Sequence, residues 1–224
     1  MNHPILAQIQ RLRAELAPGD TAPAVVTALA DGRAPLTALA ELAAQQHRII
    51  TSDRRSLLLL ATRCADHPAG AWFAALADGE SAALRTLPTL ASACGVDPDG
   101  LAHHPPLAGC QAYPAYLAWL ALNAQPSASA VALVANFAAW GGYCATIAEA
   151  LRRHYGFPDE ACAFFDFFAQ PATALEEQAA ESLGPHPLDD RTLTAAREHA
   201  LLLQAYEHLF WNTLATPAPS DGGS

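Results

Sequence analysis

Three features of the 224-residue chain predict an all-α fold. Alanine and leucine dominate while β-branched residues are sparse, a balance that favours helix over strand. Apolar residues recur at three- and four-residue spacing over long segments. Glycine and proline gather in short clusters between those segments. The length suits one hydrophobic core, so a single helical domain is expected over residues 1–214, with residues 215–224 a disordered tail.

Taken in order, Pro4 to Leu16 reads as a first helix with Ile5, Ile9, Leu12 and Leu16 on one side, ended by Pro18 and Gly19. Val25 to Ala30 is a short turn of helix closed by Asp31-Gly32. Leu36 to Ile50 is a stronger helix whose stripe runs Leu39, Ala43, Gln46, Ile50, with a glutamine where the pattern asks for an apolar side chain. Ser52 or Asp53 then reads as the cap of a further helix, with Arg54 and Arg55 at its start and His67-Pro68 at its end. Gly70 to Gly95 is helical on balance, with Pro88 as a kink. Asp97-Pro-Asp-Gly100 is turn chemistry, and His103-His104-Pro-Pro follows as a loop. A helix over Tyr113 to Leu122 carries Tyr113, Tyr116 and Leu120 on one stripe.

The central helix comes next. From Val131 to Tyr155, the residues Leu133, Phe137, Trp140, Cys144, Ile147 and Leu151 share one face, and Ala135, Ala138, Ala139 and Gly142 make a second face that another backbone can approach. Val131 to Ala148 is 18 residues without a formal charge, long enough to raise the question of a membrane span. Asn136, Tyr143, Thr146 and a Gly-Gly pair within it favour a buried helix of a protein with no membrane partner. Asp159 then caps Glu160 to Phe168, Leu175 to Leu183 follows the Gln170-Pro171 break, and Asp189-Asp190 caps a last helix from Arg191 to Leu214.

The formal charge of −10, with 12 Lys and Arg against 22 Asp and Glu, argues against a nucleic-acid partner, which needs a basic footprint. Five widely spaced cysteines with no C-x-x-C argue against a disulfide framework and for a cytoplasmic setting. The N-terminal stretch carries charges within its apolar residues and lacks a signal-peptide layout. No Gly-rich phosphate loop, G-x-S-x-G, H-E-x-x-H or Glu-x-x-His pair is present, so neither a cofactor nor a metal site is expected.

The sharpest chemical signal lies on the last helix, where Leu193, Ala196, Ala200, Leu203, Glu207, Phe210 and Leu214 form one stripe. A carboxylate on an apolar stripe loses hydration, so its pKa rises unless a partner compensates, and a raised carboxyl suits proton transfer near neutrality. A structural glutamate bonded to a core Tyr or Arg is the alternative. Cys144 on the central helix reads either as a buried filler or as a nucleophile, the latter requiring a lowered pKa and a nearby base. With Gln46, Tyr113, Tyr116, Trp140, Tyr206 and Phe210, these two residues are the expected lining of a pocket between helices.

Several segments resemble one family: AYPAYLAWLALN (112–123), ANFAAWGGYCATIAEAL (135–151), a Phe-Phe segment before a turn, and AYEHLFW (205–211). They are similar to TenA-like proteins, the thiaminase II/PqqC group, with the closing Y-E-x-x-F-W the most specific piece. The resemblance implies a haem-oxygenase-like helical bundle around a pocket, a homodimer or homotetramer, and hydrolysis of a C–N bond on a small nitrogen heterocycle such as a thiamine-breakdown pyrimidine. It places the family's acid–base glutamate at Glu207, its pyrimidine-holding aspartate near Gln46 and its nucleophile near Trp140, one turn before Cys144. A helper tyrosine falls near Pro171. Di-iron members of the fold carry F-F-x-x-H-x-x-x-D-x-x-H, which here meets Pro171, Leu175 and Gln178, none able to bind metal. The expectation is therefore a metal-free hydrolase with Glu207 and Cys144 as catalytic candidates. The alternatives are a non-catalytic small-molecule-binding accessory or regulatory protein and, behind it, a diverged biosynthetic oxidase.

Overall fold

The computed structural model describes residues 3–17, 19 and 22–215, and those residues form helices with no strand among them. The helices are α1 (Pro4–Glu15), α2 (Ala24–Ala30), α3 (Leu36–Arg63), α4 (Pro68–Ala93), α5 (Ala108–Asn123), α6 (Pro126–Tyr155), α7 (Asp159–Phe168), α8 (Thr173–Leu183) and α9 (Asp190–Ala215). The stop assigned to Pro18 and the tail TPAPSDGGS lie outside the described residues.

The largest departure from the sequence reading is α3. Where Thr51-Ser52-Asp53 suggested a break and a new cap, the helix runs unbroken through Asp53 to Arg63. The hydroxyls of Thr51 and Ser56 bond back to the carbonyls of His47 and Ser52, so these short polar residues are absorbed into the helix. The stripe Leu39, Ala43, Gln46, Ile50 therefore continues through Asp53, Leu57 and Leu60. At its far end the Arg63 guanidinium donates to the carbonyls of Ala121 and Ala124 at 2.7 and 2.8 Å, joining α3 to the C-terminus of α5.

Other boundaries shift for identifiable reasons. Helix α5 starts at Ala108 rather than Tyr113 and carries Pro114 inside it, and α4 carries Pro88 without ending there. Pro98–His103, read as turn and loop, is a 3₁₀ turn whose Asp97 side chain accepts from the Asp99 N–H. Asp159 is the first residue of α7 rather than its cap, and its carboxylate takes a hydrogen bond from Arg152 instead. On α9 the Asp189 side chain accepts from the Thr192 N–H at 2.7 Å, as a capping residue should.

Helices α3 and α4 make the most extensive pairing, and α9 packs against α5 and α6. Helix α6 is long and apolar enough to cross a membrane by composition, but most of that window is covered by the other helices. Another backbone comes close at Gly141, where an added Cβ would stand 2.9 Å from the Phe168 carbonyl oxygen, whereas the neighbouring Gly142 faces open space. Of the expected small-residue face, Ala135 is buried and Ala139 packs against the core, whereas Ala138 and Gly142 are exposed.

The interior is divided into two apolar regions. One gathers Leu39, Ile50, Leu87, Cys144, Phe164, Phe210 and Trp211, and the other gathers Ile5, Leu57, Phe73, Leu117, Val134 and Leu203. Each long helix crosses from one region to the other, and what sits at the crossing defines the site.

Candidate functional site

Four helices place a polar side chain at the boundary between the two apolar regions. On α3, Asp53 lies between Ile50 and Leu57; on α4, Glu80 lies between Ala77 and Ala83. On α5, Tyr113 lies between Cys110 and Leu117; on α9, Glu207 lies between Leu203 and Phe210. In every case the spacing is three or four residues, so the polar group sits on the same stripe as its apolar neighbours and must point inward. Helix α6 brings Phe137 and Trp140 to the same level, with Tyr143 and Cys144 one turn on. The result is a polar layer across the bundle.

The electrostatics follow from burial without counter-charge. Asp53 and Glu207 are 7% and 9% exposed. Glu207 is pushed up to about 7 by loss of hydration, offset in part by the Trp211 indole N–H, which donates to its Oε1 at 3.1 Å. Glu80 is pushed up to about 8 by desolvation, and Asp53 is raised by desolvation and by the Glu80 carboxyl. Tyr113 is raised by burial and by Asp53, Glu207 and Glu80, so each of the three acids lies within electrostatic reach of Tyr113. No cation is among the causes acting on the three carboxyls.

Not every polar head finds a partner within the protein. The Asp53 Oδ1 atom is buried with no hydrogen-bond partner among the described residues. Glu80 and Tyr113 lie deep in the protein yet keep some uncovered side-chain surface. Two open grooves lie elsewhere: one of about 400 Å³ among Thr51, Arg54, Arg55, Ser81, Leu84 and Arg85, and one of about 350 Å³ beside Trp72 and Gln178.

The residues singled out from sequence divide into groups. Glu207, Tyr113 and Trp140 belong to the polar layer. Phe210 and Cys144 stand just beyond it, with Phe210 and Trp140 rings 6.1 Å apart. Gln46 is buried on the stripe of α3 but two turns from Asp53, about 10 Å along the axis. Tyr116 and Tyr206 pack on each other at 5.3 Å in an outer group with Trp119 and His199; the Tyr116 hydroxyl is 2.9 Å from His199 Nδ1. Cys144 is fully covered, and burial together with Glu207 raises its thiol well above the ordinary range, so its surroundings hold it protonated. All five cysteines are free thiols. Asp53 and Glu80 were missed by sequence reasoning, although each sits on an apolar stripe as Glu207 does. Among the described residues no three His, Cys, Asp or Glu side chains converge as a metal site would require.

Solved structures show that this helical bundle has a haem-oxygenase-like fold. A domain of unknown function with a heme oxygenase-like fold from Shewanella denitrificans superimposes with a TM-score of 0.75 at 12% identity, covering 93% of this chain and 89% of that one. A TenA homolog from Pseudomonas syringae pv. tomato gives 0.70 at 12% identity, covering 94% and 90%. A TenA homologue from P. horikoshii OT3 gives 0.70 at 14% identity, covering 94% and 95%. Residues 25–216 match the TENA/THI-4/PQQC family, and the chain belongs to that family. A comparison with curated proteins finds no match.

Proposed function

We propose that the protein is a metal-free hydrolase of the TenA type, acting on the C–N bond of a small nitrogen heterocycle, with Glu207 moving the proton. The observation that carries this reading is a glutamate buried on the inner face of α9, bonded by the Trp211 indole and within electrostatic reach of Tyr113, where loss of hydration pushes it up to about 7. At that pKa both protonation states are populated near neutrality, which one group needs to serve first as base and then as acid. In the base role the Glu207 carboxylate takes a proton from water as the water oxygen bonds to the carbon bearing the leaving nitrogen. The C–N bond breaks, and Glu207 returns the proton to the nitrogen, which departs as ammonia. Cys144 takes no part as a thiolate in this scheme, because its surroundings favour the thiol.

The test is ammonia release from an aminomethyl-substituted aminopyrimidine. Wild-type protein should turn it over, and Glu207→Gln should lower the rate by about 10²–10⁴-fold while leaving the helical circular dichroism intact. Undiminished turnover by that variant rejects the role.

A second reading, a binding protein that converts nothing, is favoured by Trp140 standing where the family nucleophile is expected and by the protonated Cys144. Stabilisation by a heterocycle that is never converted supports it. Self-association is proposed as well. Trp119 and Leu122 on α5, and Leu202 and Leu209 on α9, are large apolar side chains left exposed. Light scattering should return at least a dimer. Free, buried cysteines support a cytoplasmic setting.

A further inference from the structure

We infer that the groove between α3 and α4 lined by Thr51, Arg54, Arg55, Ser81, Leu84 and Arg85 binds a phosphate dianion, either free or carried by a small phosphorylated molecule. The site lies apart from the polar layer and does not depend on the proposed hydrolysis.

The distribution of charge supplies the argument. The chain has 12 basic side chains, all arginine, against 22 Asp and Glu, so a basic cluster runs against its composition. Helix period creates the cluster: Thr51, Arg54 and Arg55 share one face of α3, and Ser81, Leu84 and Arg85 share one face of α4, its most extensive partner. All three arginines are exposed. Elsewhere Arg13, Arg33, Arg152 and Arg197 each meet a carboxylate. Among the described residues no carboxylate pairs with Arg54, Arg55 or Arg85, and the exposed Asp78, three residues before Ser81, reaches none of them. Arg54 Nε donates to Ser81 Oγ at 2.7 Å, which ties that guanidinium across the two helices and leaves its terminal nitrogens without protein partners. Arg55 and Arg85 make no hydrogen bond to the protein among the described residues. Like charges gathered around one groove repel, and a dianion between them removes that cost while each guanidinium fork bonds its oxygens in pairs. The groove, about 400 Å³, has the size of a small-molecule site, and Leu84 offers an apolar wall to the carbon part of an ester. None of the three arginines is among the causes acting on Asp53 or Glu80, so the basic groove and the acidic layer are separate features of the same helix pair.

The experiment is calorimetric titration of the full chain at pH 7.5 and low ionic strength with inorganic phosphate and with phenyl phosphate. At least one of the two should bind at a single site with a Kd below about 1 mM, and added salt should weaken it. Arg55→Gln with Arg85→Gln should weaken that binding at least about tenfold. Arg153→Gln with Arg191→Gln removes the same charge from exposed positions elsewhere and should leave the affinity within about twofold of wild type. All the substituted side chains are exposed, so both variants should keep the helical circular dichroism. Tighter binding of phenyl phosphate supports the site and assigns it to an ester, and equal or weaker binding supports it as a site for the free anion. Failure of both phosphates to bind, a groove variant that binds as wild type does, or an equal loss in the two double variants would each overturn the inference. The readout is independent of ammonia release, so the inference and the proposed hydrolysis can fail separately.

Discussion

Buried carboxyls occur in two places in this molecule, and they are treated in opposite ways. At the α1–α8 contact, Glu176 is fully covered and receives the Arg13 guanidinium at 2.6 Å. In the polar layer, Asp53, Glu80 and Glu207 are covered without any cation, and only Glu207 has a hydrogen-bond donor, the Trp211 indole. The first arrangement ties two helices together and leaves little for a ligand to do. The second keeps acids out of water with no counter-charge, which raises their pKa values and costs stability as pH rises through them. What separates the two regions is a cation: Arg13 reaches Glu176, although Glu176 Oε2 is left without a hydrogen-bond partner, and no cation acts on Asp53, Glu80 or Glu207.

Breaking the paired region should have the largest effect. Arg13→Ala strands Glu176 inside the protein, and we expect a loss of about 3 kcal/mol in chemical denaturation. The comparison predicts an effect of comparable size and opposite pH sense for the unpaired region. Glu207 has a folded pKa of about 7, raised above the 4.5 of an ordinary glutamate, so its contribution to stability is fully present below pH 4.5 and is lost as pH rises through about 7. That shift corresponds to about 3 kcal/mol across the window, and Glu207→Gln should flatten this part of the stability–pH curve. Glu80, raised to about 8, and Asp53, raised in the same direction, add to the fall at the alkaline end. Asp53→Asn should accordingly raise stability at pH 8, by about 1–2 kcal/mol, where Arg13→Ala lowers it. Smallest of all, Cys144→Ala should cost about 1 kcal/mol through lost packing, and native protein at pH 7.5 should resist alkylation of Cys144 by iodoacetamide.

Much of the fold was legible because helix-period stripes are long and the breaks between them are rich in Gly and Pro. The α9 stripe through Glu207 was legible for the same reason. Asp53 was hidden by its neighbours: Thr-Ser-Asp is capping chemistry in sequence, and only the back-bonded hydroxyls of Thr51 and Ser56 show that the helix runs on. Glu80 was hidden by the polar run Asp78-Gly79-Glu80-Ser81, which masks the stripe Phe73, Ala77, Glu80, Ala83, Leu87. Reading each long stripe to its end, and asking which charged residue interrupts it, would have found both. Tyr116 and Tyr206 misled in the other direction. Aromatic residues near a predicted site invite inclusion, yet they pack with exposed Trp119 on the outer side of α5 and α9.

The most direct test of the unpaired acidic layer is the titration of the Glu207 carboxyl itself, followed by NMR of protein carrying carbon-13 in its glutamate side chains and assigned with Glu207→Gln. A midpoint near 7 is the predicted result. A midpoint at the ordinary glutamate value would mean that a compensating charge or water reaches this group, and the distinction drawn between the two buried regions would fall.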